Sequence, residues 1–380
     1  MPSSHHLSRH WFLELASTRQ RHFSASTQQG VFIDVKGKHL INFSSNDYLG
    51  LRTHPQVKAA AIESIEAFGF GSGGSRLVCG DHPQMHQLEA ELATWKAYES
   101  CLMLGSGVLA NLGLMQAMSD RHTHVFSDKL NHASLVDGVR LSGAKSHRFN
   151  HLDMVMLAEQ LEKNPAQKRI IVSDGVFSMD GDCADVEHLL ALAEQHQALL
   201  MIDDAHGTGC LGEHYKGLTA KFSGHGSLLE VGTFGKAFGG YGAFILGTHE
   251  FIEGLRQRMR TMIYSTALPA AIPAAMLASL ALIQTGRLQQ TLHKNIQTFL
   301  QHSQGLPLIA SQTPLQPLLI GSDSEALSMA HKLREEGFFV PAIRPPTVRK
   351  GTARLRITLS AAHREDDIKQ LTTVLKRLCH

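Results

Sequence analysis

Thr233-Phe234-Gly235-Lys236 follows a short apolar run, Leu228 to Val231, and five glycines crowd the lysine: Gly232, Gly235, Gly239, Gly240 and Gly242. Glycine packs nothing and costs backbone entropy, so stability gives little reason for such a cluster at the end of a buried strand. What it offers is room for a bound group to come close to the backbone. The hydroxyl of Thr233 stands three residues before the amine of Lys236, so both can serve one group. An amine there can hold an aldehyde as a Schiff base, and a phosphate on the same molecule suits the hydroxyl. A phosphorylated aldehyde cofactor, pyridoxal phosphate, meets both demands.

Such a cofactor needs more than a lysine. An acid must keep its pyridine nitrogen protonated, donors must hold its phosphate, and something must cover its ring. Candidates recur just after apolar runs. Ile170 to Val172 leads into Ser173-Asp174-Gly175-Val176-Phe177-Ser178-Met179-Asp180-Gly181-Asp182, and Leu199 to Ile202 leads into Asp203-Asp204-Ala205-His206-Gly207. Asp203 is the natural acid, held ionised by the pyridinium beside it. His206 is three residues on and suits the ring's phenolic oxygen. Leu102 to Leu104 runs into Gly105-Ser106-Gly107 and a helix containing Asn111. Free amides at such a helix start bind anions, so the amides of Gly107 and Val108, with Thr233 and Ser106, suit the phosphate. His132, in Asn131-His132-Ala133-Ser134, follows the run Thr123 to Phe126 and is expected to stack on the ring.

The elements that position these residues alternate. Continuously apolar strands are separated by helical patterns, the clearest being Ala184 to His196 with Val186, Leu189, Leu190 and Ala193 on one face. Such alternation predicts a mostly parallel sheet covered on both faces, with ligands beyond the carboxyl ends of its strands. Further helices are expected over Trp11 to Gln20 and Pro55 to Phe68, and another where Met85, Leu88, Leu92 and Trp95 recur. A hairpin is expected from Val31 to Val35 and Leu40 to Phe43. Past residue 285 the pattern becomes that of a smaller α+β unit, with strands at Gln316 to Ile320, Phe338 to Val340 and Leu355 to Leu359. The division expected is an arm over 1–45, a large cofactor-binding domain over 46–284 and a small domain over 285–380.

Two glycine motifs mislead. Gly207-Thr208-Gly209-Cys210-Leu211-Gly212 matches a dinucleotide-binding turn, but Asp203, Asp204 and His206 intervene after the strand and no helix opens behind it. Gly235-Lys236 is not a nucleotide-binding phosphate loop, because Ala237 replaces the required hydroxyl residue.

Bulk properties fit an enzyme with a large core. The chain has 380 residues, 43% hydrophobic and 18% charged, with a formal net charge of +2. No basic field favours nucleic acid or a membrane surface. Five scattered cysteines form no CxxC pair, so reduced thiols and no metal site are expected. Met1 to His10 carries no apolar core of a signal peptide, and a cytoplasmic protein is expected.

The combination of Asp203-Asp204-Ala205-His206-Gly207-Thr208-Gly209 with Thr233-Phe234-Gly235-Lys236 resembles the α-oxoamine synthases, a branch of the fold-type-I pyridoxal-phosphate transferases. The resemblance runs from about Arg19 to the C-terminus. Within the branch, three stretches look most like the members that join L-alanine to a pimeloyl thioester in biotin synthesis, releasing CO2. They are Asn42 to Gly50, Gly71-Ser72-Gly73-Gly74-Ser75-Arg76, and Arg344-Pro345-Pro346-Thr347-Val348 followed by Gly351 to Arg356. A sister enzyme using glycine or serine with another acyl-CoA is the alternative. A non-catalytic cofactor-binding subunit is a third, and the presence of Lys236 weighs against it.

The resemblance implies roles. Lys236 holds the cofactor and then removes the Cα proton of alanine. Asp203 holds the pyridinium, Ser178 and His206 bond the cofactor, and His132 stacks on the ring and assists at the new carbonyl. Arg354 takes the substrate carboxylate, with Arg356 two residues on as the competing choice. Asn46 bonds the substrate or the cofactor edge. Arg19 or Arg21, together with Thr352, lines the acyl site. The branch is homodimeric with its site at the subunit interface, and Thr266 then donates to the phosphate of the partner's cofactor. The acyl carrier, coenzyme A or a carrier protein, stays open.

Overall fold

The computed structural model describes residues 25–379. Arg19, Arg21 and the helix expected over 11–20 lie outside them. The described chain opens with β1 (Ser26–Gln29), β2 (Phe32–Val35) and β3 (Lys38–Asn42), an antiparallel meander. Lys36 and Gly37 join β2 to β3 with φ of 50° and 76°. Two positive φ values are what a tight hairpin turn requires, and glycine supplies the second without strain.

The central sheet is built from β4 (Ser100–Leu104), β5 (His124–Asp128), β6 (Lys145–Phe149), β7 (Arg169–Asp174), β8 (Leu199–Asp203), β9 (Leu228–Thr233) and β10 (Ala243–Gly247). Its order is β4-β10-β9-β8-β7-β5-β6. β10 is antiparallel to both neighbours, and the pairs from β9 through β6 are parallel. Side-chain alternation divides the apolar runs between two cores. Leu102, Leu104, Ile170, Val172, Met201, Leu229 and Val231 face one layer of helices. Cys101, Met103, Ile171, Leu200, Ile202 and Leu228 face the other. A strand buried on both faces is apolar at nearly every position, which is why these runs lack a polar alternation; buried Glu230 in β9 is the exception.

Two strands of the central sheet escape the sequence reading, as do the short β1 and the strand Ala342–Ile343. β6 is the polar edge sequence KSHRF, with only Phe149 fully buried. β10 follows directly on the glycine cluster around Lys236. The helix over Pro55–Phe68 forms as expected, and Met85, Leu88, Leu92 and Trp95 form the buried face of helix Pro83–Lys96. Among the described residues no single helix is long and apolar enough to cross a membrane.

The C-terminal part carries β11 (Leu315–Gly321), β12 (Phe338–Phe339), β13 (Ala342–Ile343) and β14 (Ala353–Thr358). β11, β14 and β13 form an antiparallel sheet. β12 instead pairs in parallel with β3, Phe338 opposite Ile41 and Phe339 opposite Asn42. The opening arm and the C-terminal region therefore share one sheet.

Candidate active site

β7, β8 and β9 end at Asp174, Asp203 and Thr233, so the sheet itself sets these three side by side. Asp174 and Asp203 are direct register partners. The loops leaving these ends, with those after β4 and β5, enclose a cavity of about 190 Å³. It is lined by Ser106, Gly107, Val108, His132, Ser178, Asp203, His206, Thr233 and Lys236, all expected from the sequence, together with Asn111, Ser134 and Asp174. A larger cavity of about 1200 Å³ opens at the amino ends of β7 and β8, near Arg169, Leu199 and Arg258, and holds none of the expected site residues.

Helix Gly107–Met118 aims its N-terminus at the cavity. The Leu109 amide donates to Ser106 Oγ and the Ala110 amide to the Ser106 carbonyl. The Gly107 and Val108 amides have no intrahelical acceptor and are left for an anion. Gly107 faces open space: a methyl built there meets nothing within 4 Å.

Asp203 is fixed on both oxygens. Oδ2 accepts from Asn111 Nδ2 at 2.7 Å and Oδ1 from the Ala205 amide at 3.1 Å. Asn111 also donates to Ser134 Oγ at 2.9 Å, and Ser134 Oγ stands 2.7 Å from His132 Nδ1. The serine hydrogen thus points at Nδ1, which also accepts the Ser134 amide. The proton of a neutral His132 then sits on Nε2. Burial lowers the His132 pKa, which favours that neutral form, although the Asp203 charge opposes it. Asp174 accepts the His132 amide at 3.1 Å, and burial followed by the Asp203 charge pushes its own carboxyl well above the usual range. Asn111, Ser134 and Asp174 were not singled out from the sequence. Asn111 and Ser134 are ordinary residues near helix starts there, and only the contact between two helices brings them to Asp203.

His206 Nδ1 lies 2.5 Å from the hydroxyl of fully buried Tyr48. Burial and then the neighbouring Lys236 charge drive its pKa well below the ordinary value, so the ring is neutral. Lys236 itself is brought down to about 8 by burial, with Asp203 and Asp174 opposing. Among the described residues no hydrogen bond holds its amine.

The glycines around Lys236 are explained differently from the sequence expectation. A methyl at Gly232 would lie 2.2 Å from the Phe244 ring, at Gly239 2.3 Å from the Arg52 amide, and at Gly240 2.1 Å from Met276. They admit the protein's own packing. Of the five, Gly235 has the loosest surroundings, its nearest neighbour being Thr233 Oγ1 at 3.5 Å. The Thr233 hydroxyl donates to the Gly242 carbonyl at 3.0 Å and accepts from the Gly235 amide.

The remaining expected residues stand outside the cavity lining. Arg354 is tied to Asp180 at 2.6 Å, to the Met179 carbonyl and to Thr352, so its guanidinium is already engaged. Arg356 donates to the Ser178 carbonyl at 2.7 Å and to Asn46 Oδ1 at 3.1 Å, and its charge is felt by Lys236 and His206. Arg356 is thus linked to residues of the cavity, while the guanidinium of Arg354, preferred from the sequence, is held by Asp180. Arg344 directly follows β13 and has no carboxylate partner among the described residues. Thr352 donates to the Arg349 carbonyl, and Thr266 is exposed.

The arrangement fits pyridoxal phosphate. It offers free amides at a helix start, a fixed carboxylate, an amine of lowered pKa and a neutral imidazole around one cavity. The description "Aminotransferase class I and II" matches residues 38–375. The chain is 48% identical over 361 residues to an 8-amino-7-oxononanoate synthase of Saccharophagus degradans, covering 92% of this chain and 90% of that one. The fold is similar to a serine palmitoyltransferase of Sphingomonas wittichii, with a TM-score of 0.90, 26% identity, and coverage of 99% of this chain and 96% of that one. It is also similar to an 8-amino-7-oxononanoate synthase of Francisella tularensis, with a TM-score of 0.78, 29% identity, and coverage of 89% and 97%.

Proposed function

The chain belongs to the aminotransferase class I and II family and, within it, to the 8-amino-7-oxononanoate synthases, and from that premise we propose how its site works. The reaction is a pyridoxal-phosphate-dependent acyl transfer in biotin synthesis. It joins L-alanine to a pimeloyl thioester and yields 8-amino-7-oxononanoate, CO2 and a free thiol. The observation that carries this reading is the meeting of Lys236, Asp203, His206 and His132 around one cavity in a chain 48% identical to a named synthase.

Bound pyridoxal phosphate supplies the electron sink that lets the Cα of an amino acid carry negative charge. Lys236 holds the cofactor's aldehyde carbon and, once displaced by alanine, accepts the Cα proton. A pKa near 8 suits both tasks, because the amine is then partly neutral near neutral pH. Asp203, held by Asn111 and Ala205, keeps a proton on the pyridine nitrogen. His206, fixed by Tyr48, bonds the ring's phenolic oxygen, with Ser178 beside it. His132 covers the ring and turns its Nε2 hydrogen toward the acyl oxygen. The Gly107 and Val108 amides take the phosphate with Thr233, whose hydrogen must leave Gly242 to do so. Arg356, braced by Asn46, and Arg344 are better free to meet the substrate carboxylate than Arg354. Thr352, with Arg19 or Arg21, is assigned to the acyl site.

A homodimer completes the site. Phe70, Leu77, Val78 and Tyr264 are 81%, 70%, 79% and 71% exposed. The Gly74 carbonyl accepts the Ala267 amide at 2.9 Å, which joins the segments that carry them. So much apolar surface on two joined segments fits an interface with a second copy. Thr266, on this face, then reaches the partner's phosphate.

Serine palmitoyltransferase matches the backbone better than the solved synthase does, with a TM-score of 0.90 against 0.78, but is 26% identical against 48% for the Saccharophagus degradans synthase, so the likeness in fold does not favour serine as substrate. Absorption spectroscopy tests the choice. The visible cofactor band of the purified protein is expected to shift with L-alanine, then change again with pimeloyl-CoA or the pimeloyl carrier protein. A response to glycine or L-serine alone would point to a sister enzyme. No band after adding pyridoxal phosphate would overturn the assignment of the site.

A further inference from the structure

Beneath the active site lies a charged cluster that the mechanism above does not use. Lys96, Asp204 and Glu230 have side chains with 0% exposure. Lys96 is the last residue of helix Pro83–Lys96. Its ammonium contacts the Glu230 carboxylate and the Lys216 carbonyl, lies 3.1 Å from Thr208 Oγ1, and stands 4.0 Å from Asp204 Oδ2. Asp204 Oδ2 accepts the Leu218 amide at 3.0 Å. Glu230 Oε2 accepts the Thr219 hydroxyl. One lysine thus gathers the end of β8, the body of β9, and the start and middle of the loop between them.

The misleading glycine motif belongs to this cluster. A methyl at Gly207 would stand 2.2 Å from Asp204 Oδ1, and one at Gly217 1.8 Å from Asp204 Oδ2. The loop closes so tightly on the carboxylate that only glycine fits. A methyl at Gly209 would come within 2.9 Å of Ala237 Cβ, the residue after Lys236. Asp203 precedes Asp204 directly, and Lys236 lies three residues past the end of the strand that carries Glu230. The cluster is therefore a common footing for the acid and the amine.

A buried ion pair generally does little for stability against an apolar replacement, so its retention here asks for another reason. We propose that Lys96 is a positioning residue: by clamping Asp204, Glu230 and the loop between β8 and β9, it fixes the separation of Asp203 and Lys236. This rests on the roles given to those two residues. Two carboxylates face one ammonium, which leaves one negative charge in excess, and the single Thr208 hydroxyl hydrogen cannot serve both acids at once. Burial and the Glu230 charge raise Asp204 to about 7 against the pull of Lys96, which supports a proton residing on it.

The test uses the full-length protein with cofactor. Lys96→Met keeps the length and removes the charge, and Lys96→Met/Glu230→Gln removes both members of the pair. Thr208→Val keeps the shape and removes the bridging hydroxyl. In each variant that folds, kcat is expected to fall at least tenfold (severalfold for Thr208→Val), with less than a twofold change in KM for alanine and for the thioester. Hydrogen exchange at the Gly217 and Leu218 amides is expected to accelerate, with or without cofactor. Wild-type kcat in the folded variants would overturn the proposal, as would unchanged exchange. Thr208→Val, the mildest change, keeps the question decidable if the lysine variants do not fold. Wild-type protein run in parallel separates this from the function itself: if it shows no cofactor band and no turnover, the roles of Asp203 and Lys236 fail first.

Discussion

A lysine that must be protonated in one state and neutral in another is tuned by its surroundings. With its pKa at about 8, roughly one-tenth of Lys236 is neutral at pH 7, against about one in three thousand for a lysine at 10.5. Protein stripped of cofactor is expected to recapture pyridoxal phosphate at a rate that rises about tenfold per pH unit below 8 and flattens above it. Stopped-flow absorbance measures this, and a rise continuing to pH 10 would show an ordinary lysine. Residue identity made Lys236, Asp203, His206 and His132 legible in the sequence, because each follows an apolar run at the expected strand end. It did not reveal the hydrogen-bond chain from His132 through Ser134 and Asn111 to Asp203, which depends on two helices touching. Nor did it separate Arg354 from Arg356. Strand alternation gives both one face, and only the position of Asp180 shows which guanidinium is already taken.

Between elements, His151 is the chief fastener. Its ring bridges Asp128 at 3.1 Å and Asp182 at 2.8 Å, tying the loop that carries His132 to the one that carries Ser178. Burial alone would lower its pKa, but the two hydrogen-bonded carboxylates outweigh that and raise it to about 10. The folded state therefore binds this proton more tightly than the unfolded chain does. The stabilisation is complete below pH 6.5 and fades as pH rises toward 10. His151→Gln is expected to lower stability most at pH 6 and least near pH 10, as urea unfolding at several pH values would record. A pH-independent difference would mean that the ring acts by packing alone. The elements themselves were readable where burial is one-sided or complete, as in Pro55–Phe68 and the strands that bear the site. β6 was missed because an edge strand can be polar, and β10 because glycines precede it.

For the whole molecule, the exposed apolar face around Phe70, Leu77, Val78 and Tyr264 is the feature that a single copy leaves unaccounted for. The proposed homodimer predicts that Phe70→Asp/Val78→Asp sediments as a monomer and turns over more than tenfold more slowly, since Thr266 would lose its partner. A monomeric wild-type protein with full activity would remove the shared site. Past residue 285, β11 and β14 were legible as apolar runs. The joint between the ends of the chain was not, because β12 is only two residues long.

That joint bears on how the protein is made. Ile41 and Phe338 pair directly although 297 positions separate them, from 338 minus 41. During synthesis β3 is among the first strands to leave the ribosome, and it waits for its neighbour until nearly the whole chain has followed. Until then it presents an open edge to other nascent chains. A message cut short before codon 338 would yield a chain with the Lys236 region intact and that edge unprotected, a product more suited to aggregation or degradation than to partial function.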